Sequence, residues 1–389
     1  MYDFDKIVKR RNTKCIKWDT WKKEGKPKDI LPLWVADMDF ETLPEVTEAI
    51  IERAKHAVYG YSMAGDDYYE EVCNWMKRRH QLDINADNIV TTTGVVTALK
   101  IAVNAFTAPG DAIIINKPVY YPFDFSIDEN QRKKIECPMM FTGQTYELDF
   151  DLIEQLIIDN DVKMFILCNP YNPIGKVWKE DELKQIGEIC KKHHVLVIVD
   201  EIHEDFVYGD HVHIPFYNVD ESYKEFSVVL TAPSKTFNLA GLQTSNIIIA
   251  DEKLRKAYQE TMNRYGVNEP NFLGIIACMT AYNECELWVD EMLEYVYDNF
   301  TYFDEFLKEN LPHIHLVKPE GLYLGWVDFR ECGLNKDELE KTMLEKAGLW
   351  LDEGYIFGTG GEGFERFNLA IPRSVLEDAC QRLLKAFGK

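Results

Sequence analysis

One lysine stands where the sequence could place a nucleophile. Lys235 lies in the segment TAPSKTFNLAGLQ, residues 231–243, directly after the apolar run of residues 227–230. Such a run predicts a buried strand, so Lys235 would follow a strand end with the hydroxyl of Ser234 beside it. To attack a carbonyl, the amine must lose its proton, and desolvation or a nearby cation must lower its ordinary pKa of about 10.4. The segment is typical of either a Schiff-base lysine or a surface lysine in a turn.

Two acids and a histidine follow another apolar run. Residues 195–199 are all apolar, and Asp200, Glu201 and His203 come directly after them. A buried carboxylate at a strand end is unfavourable unless it meets a cation or hydrogen-bond donors. Asp200 therefore predicts either a polar ligand site or a helix cap, and His203 taken alone is more typical of a structural histidine.

Two further features could bind anions. Gly94 follows a predicted strand at 89–92 and opens a predicted helix, whose first N–H groups would attract phosphate, although many such helices bind nothing. Arg366 lies in an apolar predicted strand at 364–369, and a half-buried arginine needs an anion. That anion is either a structural carboxylate or a substrate carboxylate held by two hydrogen bonds.

Four loop residues complete the candidates. Tyr120 lies in a rigid loop at a strand end, where its ring would stack on a flat ligand or pack in the core. Asn172 belongs to a stiff polar loop at residues 169–175, which contains two Asn-Pro pairs and a glycine. Ala36 and Tyr61 lie near the start of the chain, where composition alone favours ordinary loops.

The elements that must position these residues alternate along the chain. Short apolar strands near residues 113, 165, 197, 229 and 247 alternate with helices, which predicts a parallel sheet covered on both faces. Ligands of such sheets collect at the carboxyl ends of the strands, where the candidate residues fall. From about residue 285, an acidic aromatic-rich helix, two strands and a last helix predict a smaller α+β domain.

Composition argues against several classes of partner. The chain has 389 residues, enough for a large and a small domain, and its formal net charge of −23 argues against nucleic acid and anionic membranes. No apolar run approaches ~20 residues, the N-terminus lacks the apolar core of a signal peptide, and the nine cysteines form no C-x-x-C pair. We therefore expect a cytoplasmic protein with reduced cysteines, no nucleic-acid or membrane partner and no metal site.

Taken together, the motifs resemble the fold-type-I family of pyridoxal-phosphate enzymes, the aspartate aminotransferase superfamily. The matching motifs occur in the family's order over essentially the whole chain: Gly94, Tyr120, N-P-x-G at 172–175, D-x-x-H at 200–203, S-K at 234–235 and R-x-N at 366–368. The resemblance implies an α/β fold with a large domain, residues 49–284, on a mainly parallel seven-stranded sheet. Residues 285–389 would form a smaller α+β domain, and residues 1–48 an arm that packs with it.

The resemblance implies that the cofactor is pyridoxal 5′-phosphate. Lys235 would hold it as a Schiff base, and Asp200 would face the ring nitrogen and keep it protonated. His203 would support Asp200 or the ring hydroxyl. Tyr120 would stack on the ring, and Asn172 would hydrogen-bond its phenolic oxygen.

The remaining implied roles concern the phosphate and the substrate. The N–H groups of Val95 and Val96 would bind the phosphate, helped by Ser234. Arg366 would bind the α-carboxylate of an amino-acid substrate, close to the backbone of Ala36.

Within the superfamily, three passages resemble the MalY/PatB-like C–S β-lyases: LPLWVADMDF at 31–40, YGYS at 59–62 and SKTFNLAGLQ at 234–243. Most aminotransferases of this fold carry an arginine eight residues after the lysine and a hydroxyl three residues before it, where this chain has Gln243 and Ala232. Tyr61 would reach the phosphate side of the neighbouring subunit's site, which implies a homodimer with shared active sites.

The subgroup implies a C–S β-lyase that cleaves L-cystathionine, L-cysteine or related S-conjugates to a thiol, pyruvate and ammonia. Lys235 would act as the general base on the substrate α-proton. Two alternatives stay open. One is an aminotransferase, which shares every step through proton abstraction, and the other is a regulatory protein on the same fold.

Overall fold

The structure, a computed structural model, describes residues 2–388. Its strands are, in chain order, β1 Leu31–Pro32, β2 Ile89–Thr92, β3 Ala112–Lys117, β4 Lys133–Pro138, β5 Met140–Phe141, β6 Tyr146–Glu147, β7 Val162–Cys168, β8 Leu196–Asp200, β9 Ser227–Thr231, β10 Ser245–Ile248, β11 His315–Leu316, β12 Leu324–Asp328, β13 Leu349–Trp350, β14 Asp352–Glu353 and β15 Phe364–Asn368.

The α-helices precede, separate and follow these strands. They are α1 Ile16–Asp19, α2 Pro44–Lys55, α3 Asp66–His80, α4 Val95–Phe106, α5 Pro122–Asp128, α6 Phe150–Asn160, α7 Glu180–Lys192, α8 Phe216–Val219, α9 Pro233–Thr236, α10 Glu252–Tyr265, α11 Phe272–Glu284, α12 Glu286–Asn310, α13 Lys336–Lys341 and α14 Arg373–Phe387. None of the helices between residues 2 and 388 has the length and apolarity that a membrane crossing needs.

The central sheet has the strand order β2-β10-β9-β8-β7-β3-β4. The strands from β9 to β4 run parallel to one another. Every residue of β3 and β9 is buried, as expected for apolar, β-branched strands with helices on both faces. The α/β fold with a mainly parallel seven-stranded sheet is confirmed in the described part of the chain.

The predicted parallel orientation was wrong for the strand near residue 247. β10 runs antiparallel to both β9 and β2. A parallel return requires a crossover over the face of the sheet, usually through a helix of a dozen or more residues with its loops. Between β9 and β10 the structure has the four-residue helix α9 and one 3₁₀ turn, so the chain turns back at the same sheet edge.

A second, antiparallel sheet has the order β11-β12-β15-β14. Its strand β15 brings Arg366 opposite Trp326 on one side and Asp352 on the other. The N-terminal arm joins this region, because β1 pairs in parallel with β13. The side-chain amide of Asn368 donates to the carbonyl oxygens of Val35 and Asp37 at 2.7 and 2.6 Å, which anchors the arm on both sides of residue 36.

The two sheets and the arm meet at the carboxyl ends of the parallel strands. Cys168, Asp200 and Leu230 lie side by side in register at the ends of β7, β8 and β9. Beyond β9, the side-chain amide of Asn238 donates to the carbonyl oxygen of Met38 at 3.0 Å. The arm is therefore held from the second sheet and from the Lys235 segment at once.

The interior of α7 offers a test of the packing around the central sheet. A Cβ on Gly187 would lie 2.2 Å from the ring of the buried Tyr223, so Gly187→Ala must displace that ring. Overpacking typically costs about 1–3 kcal/mol, which exceeds the gain of about 1 kcal/mol from replacing glycine by alanine in a helix. We expect a lower free energy of unfolding in urea denaturation. Gly241→Ala, where no atom lies within 4 Å of the added Cβ, is the control and should change it little. A stabilised Gly187→Ala variant would contradict this packing.

Candidate active site

A cavity of about 170 Å³ lies at the carboxyl edge of the central sheet. Ten of the candidate site residues line it: Ala36, Gly94, Val95, Val96, Tyr120, Asn172, Asp200, His203, Ser234 and Lys235. An adjoining cavity of about 610 Å³ is lined by Arg366 and shares Ala36, Tyr120 and Lys235 with the first. The structure thus brings together side chains that are more than 300 residues apart in the sequence.

Lys235 lies in the short helix α9, directly beyond β9, with its side chain facing the cavity. Its Nζ donates a hydrogen bond of 2.6 Å to the carbonyl oxygen of Ala36 in the arm. Enclosure by protein atoms lowers the pKa of the amine to about 8, against the opposing charge of Asp37 and with the help of Arg366. A substantial fraction of this amine is neutral, and therefore nucleophilic and basic, near neutral pH.

Asp200 is the last residue of β8 and is almost completely buried. Burial raises the pKa of its carboxyl group to about 7, although the backbone N–H of Ile202, which donates to it at 3.2 Å, and the charge of Lys235 oppose this rise. A carboxyl group in this state gains a favourable partner if a cationic nitrogen enters the cavity, since an adjacent positive charge stabilises the carboxylate.

The start of α4 forms the opposite end of the cavity. Gly94 has a φ of 130°, which glycine adopts readily, and Val95 begins the helix. The first N–H groups of a helix have no acceptor within the helix and carry the positive end of its dipole, so they suit an anion. Thr93 and Thr97 line the same cavity and were missed in the sequence, although both belong to the run TTTGVVT around Gly94.

Of the two positions where the sequence departs from most aminotransferases, Gln243 lines this cavity and Ala232 does not. The side-chain oxygen of Gln243 lies 3.6 Å from where a Cβ on Gly94 would be, and its Nε2 donates to the carbonyl oxygen of Ala240 at 2.9 Å. Ala232 is buried and precedes α9, where it provides no hydroxyl group. Gln243 thus contributes a neutral amide, rather than a cation, to this end of the cavity.

Arg366 is fully buried, rather than half-buried as the sequence suggested. Its guanidinium group donates to Asn172 Oδ1 at 3.0 Å and to the carbonyl oxygen of Trp34 at 3.0 Å, and it pairs with the carboxylate of Asp352. Its Nε has no hydrogen-bond partner among residues 2–388. Asp352 was missed in the sequence, because only the pairing of β14 with β15 brings it opposite Arg366.

His203 is buried with its Nδ1 unpaired among the described residues. Burial, reinforced by the charges of Lys235 and Arg366, lowers its pKa well below the ordinary value, so the ring is neutral. Tyr323, whose ring centre lies 5.7 Å from that of His203, donates its hydroxyl to the carbonyl oxygen of Ala36 at 2.9 Å. Lys235 and Tyr323 therefore share one acceptor, a contact that no local sequence pattern indicated.

Tyr61 is the one predicted site residue that lies apart from the others. It is 95% exposed, and it lines neither of the two cavities described above. The structure of a single chain brings the other predicted residues together without it.

The chain is similar to known proteins over its whole length. The pattern of the family "Aminotransferase class I and II" matches residues 28–383. Cystathionine beta-lyase PatB of Bacillus subtilis (strain 168) is 39% identical over 386 residues, which cover 99% of this chain and 100% of that protein.

Two solved structures are similarly close. Cystalysin from Treponema denticola, which contains a pyridoxal 5′-phosphate cofactor, superposes with a TM-score of 0.96 at 40% identity and covers 99% of this chain and 98% of that one. The PLP-bound C–S lyase from Staphylococcus hominis superposes with a TM-score of 0.93 at 34% identity, covering 100% and 99% of the two chains.

The pKa of Asp200 predicts a pH dependence of stability in cofactor-free protein. A carboxyl group whose pKa is raised by folding contributes stability at low pH that is lost as the pH rises through the folded value, here about 7. As the pH rises from about 4 to about 7, ionisation of this group should lower the free energy of unfolding by roughly 2–4 kcal/mol. Asp200→Asn should remove that decrease in urea denaturation at several pH values.

The control for this measurement is Asp151→Asn, at an exposed position of α6, which should keep the pH profile of the wild type. Parallel profiles for wild type and Asp200→Asn would mean that the Asp200 carboxyl group titrates near its ordinary pKa of about 3.9, contrary to its burial.

Proposed function

Because the chain belongs to the class I and II aminotransferase family, we propose that it is a pyridoxal-phosphate-dependent C–S β-lyase. Its substrates are L-cystathionine, L-cysteine or related S-conjugates, which it cleaves to a thiol, pyruvate and ammonia. The observation that carries the proposal is full-length similarity to a cystathionine beta-lyase and to a C–S lyase. The desolvated Lys235 and the buried Arg366, which line the same cavity, agree with it.

Pyridoxal 5′-phosphate fits the residues of the smaller cavity. The free N–H groups at the start of α4 suit its phosphate, and the buried carboxyl group of Asp200 suits its ring nitrogen. The amine of Lys235 suits its aldehyde carbon. The unpaired Nδ1 of His203 and the side chains of Tyr120 and Asn172 offer the ring further polar and aromatic contacts.

The cofactor, when bound, supplies an electron-withdrawing ring that accepts the negative charge left on the substrate when its α-proton is removed. Asp200 would hold the ring nitrogen of the bound cofactor in its protonated form, because the buried carboxylate and the cationic nitrogen would stabilise each other. The neutral amine of Lys235 takes the α-proton of the substrate as general base. The bond from Cβ to sulfur then breaks and the sulfur leaves as thiolate. Water then hydrolyses the three-carbon product that remains, which gives pyruvate and ammonia.

Arg366 and Asn172 orient the substrate for this proton transfer. The guanidinium group already carries Asp352 as a counter-ion and Asn172 as a hydrogen-bond partner, which holds it rigidly at the wall of the larger cavity. A substrate α-carboxylate is bound through charge-assisted hydrogen bonds at this group. Because Lys235 faces the same cavity, the carboxylate anchor directs the α-carbon towards the amine.

The assembly we propose is a homodimer with shared active sites. Tyr61 is almost completely exposed in the single chain, and neighbouring large apolar side chains at residues 58, 59 and 63 are exposed as well. A surface of this kind favours contact with another protein. In the dimer, Tyr61 donates to the phosphate bound at the partner's α4, a site where the chain carries Gln243 instead of a cation. The nine cysteines are all free, and we propose a cytoplasmic location.

Lys235→Ala tests the catalytic assignment. Purified wild type should release pyruvate and thiol from L-cystathionine without any keto-acid acceptor. The variant should lose at least about 10²–10⁴-fold in kcat, the range typical of a removed general base, together with the yellow absorbance of the lysine-bound cofactor. Lys253→Ala, at an exposed position of α10, is the matched control and should retain full activity.

An absolute requirement of the wild type for a keto acid would instead indicate an aminotransferase. A Lys235→Ala variant that still formed a borohydride-reducible lysine adduct with the cofactor would show that another lysine is the Schiff-base residue.

Mixing subunits tests the role of Tyr61. Tyr61→Phe should weaken cofactor retention and slow catalysis. When Lys235→Ala and Tyr61→Phe subunits exchange, each heterodimer regains one site with both native groups, so an equal mixture should recover about a quarter of wild-type activity above the residual activity of the parents. Lys235→Ala mixed with Arg366→Ala is the control, because both residues face one cavity of the same chain and no site becomes complete.

Recovery no greater than in that control would mean that Tyr61 acts within its own chain. A fully active monomer by light scattering at assay concentration would rule out shared sites altogether.

A further inference from the structure

A second group of buried ionisable side chains lies outside the two cavities of the active site. His80 is the last residue of α3, Glu204 lies in the loop that follows β8, and His213 lies shortly before α8. Each is more than nine-tenths buried. The proposed reaction uses none of them, and we refer to these three residues as the buried triad.

The buried triad converges on one point. One potential ligand atom from each residue lies within 4.8 Å of the other two, and His80 Nε2 lies 4.0 Å from Glu204 Oε2. A triangle with edges of 4.8 Å has its centre about 2.8 Å from each corner. Zinc is bound by histidine nitrogen at about 2.0–2.1 Å and by carboxylate oxygen at about 2.0–2.2 Å, so a small inward movement of each side chain would complete the contacts.

Four polar atoms at this point have no hydrogen-bond partner among residues 2–388. They are both ring nitrogens of His213, Oε2 of Glu204 and, next to the triad, Oε2 of Glu201. The other oxygens of these carboxylates are already bound: Glu204 Oε1 accepts from Thr231, and Glu201 Oε1 accepts from Asn169 at 3.0 Å. The hydrogen bonds of Oε1 fix both carboxyl groups, while Oε2 of each group makes no hydrogen bond. Buried polar atoms without hydrogen bonds are unfavourable.

Several ionisable groups crowd around the buried triad. The carboxyl groups of Glu201, Glu204 and Asp205 meet here, and Arg79 faces them with its Nε 4.0 Å from Asp205 Oδ1. Burial raises the pKa of Glu204 to about 8, and the charges of Glu204 and Asp205 raise the pKa of His80 to about 9 against the effect of burial, so protons are held in this cluster. Arg79 also pairs with Glu286 and Asp290, which reduces the positive charge that it offers to the cluster. A bound water could satisfy the hydrogen bonds, whereas a metal ion would bind the unpaired nitrogen and oxygen atoms and replace the protons that offset the carboxylate charge.

We propose that the buried triad binds a divalent first-row metal ion, with zinc the expected ion. Two imidazole nitrogens and a carboxylate oxygen are donors that zinc prefers, and the three buried residues line neither active-site cavity, as suits a structural ion. Asp205 Oδ1 is hydrogen-bonded to His80 Nε2 at 3.0 Å, and it would become a further oxygen ligand once the ion displaces the proton between them. Glu201 Oε2, 3.7 Å from His213 Nε2, is positioned to orient that ring from outside the metal shell.

Such an ion would hold together three segments of the chain that meet beyond β8, the strand that ends at Asp200. It would fix the end of α3 and the segment before α8 against the loop that follows β8. No metal site was predicted from the sequence, because residues 80, 204 and 213 form none of the short ligand spacings that identify zinc sites.

The test measures metal in the cofactor-loaded protein, expressed without a histidine tag in zinc-supplemented medium. After dialysis against a weak chelator, elemental analysis should find about one zinc ion per chain. His213→Gln and Glu204→Gln should each reduce this to less than about a tenth, and Co²⁺ exchanged into the wild type should give visible d–d absorption that the variants lack. His211→Gln, in the same loop but outside the triad, should keep the metal.

Removing the ion with a strong chelator should lower the Tm by several degrees in the wild type and not in His213→Gln, since ligand binding to the folded state stabilises it. Metal-free wild-type protein under these conditions would overturn the proposal and leave water or a shared proton in the cluster. Zinc retained in both triad variants would overturn it as well, because the ion would then lie elsewhere. The wild-type measurement decides the question even if the variants do not fold.

Discussion

The desolvation of one amine is the constraint on which the rest of the structure depends. Lys235 can act near neutral pH only because protein atoms enclose it and lower its pKa to about 8. That enclosure is not local to α9. It requires the arm, whose Ala36 carbonyl accepts from the amine, and it requires Tyr323 beside β12, which donates to the same carbonyl. Elements from both sheets and from the arm must therefore be folded before the lysine is competent.

The anchoring of the arm explains why asparagines recur around the site. Asn368 binds the carbonyl groups of Val35 and Asp37 from β15, and Asn238 binds those of Met38 and Phe40 from the segment after Lys235. An amide side chain donates two N–H groups and so can bind two carbonyl oxygens of a bent backbone segment. These contacts hold residues 35–40 of the arm in a loop beyond β1, and they fix the carbonyl of residue 36 at the cavity.

Arg366 shows how the fold holds a buried charge ready for an anionic ligand. A buried ion pair carries a large desolvation cost, which is offset only by good geometry and further hydrogen bonds. Here Asp352, Asn172 and the carbonyl of Trp34 surround the guanidinium group, yet its Nε is left without a partner in the described residues. The three partners keep the guanidinium group in place, and the free Nε–H leaves it able to donate a further hydrogen bond to an anionic ligand.

Local pattern in the sequence determined the strands at 89–92 and 162–168, the helix after Gly94 and the positions of most cavity residues, because hydrophobic period, glycine and strand ends act over a few residues. Tertiary structure alone decided the reversed direction of β10, since it depends on where the intervening chain packs. It also decided the partnership of Asp352 with Arg366 and the shared acceptor of Lys235 and Tyr323, because pairing between distant strands leaves no trace in local spacing.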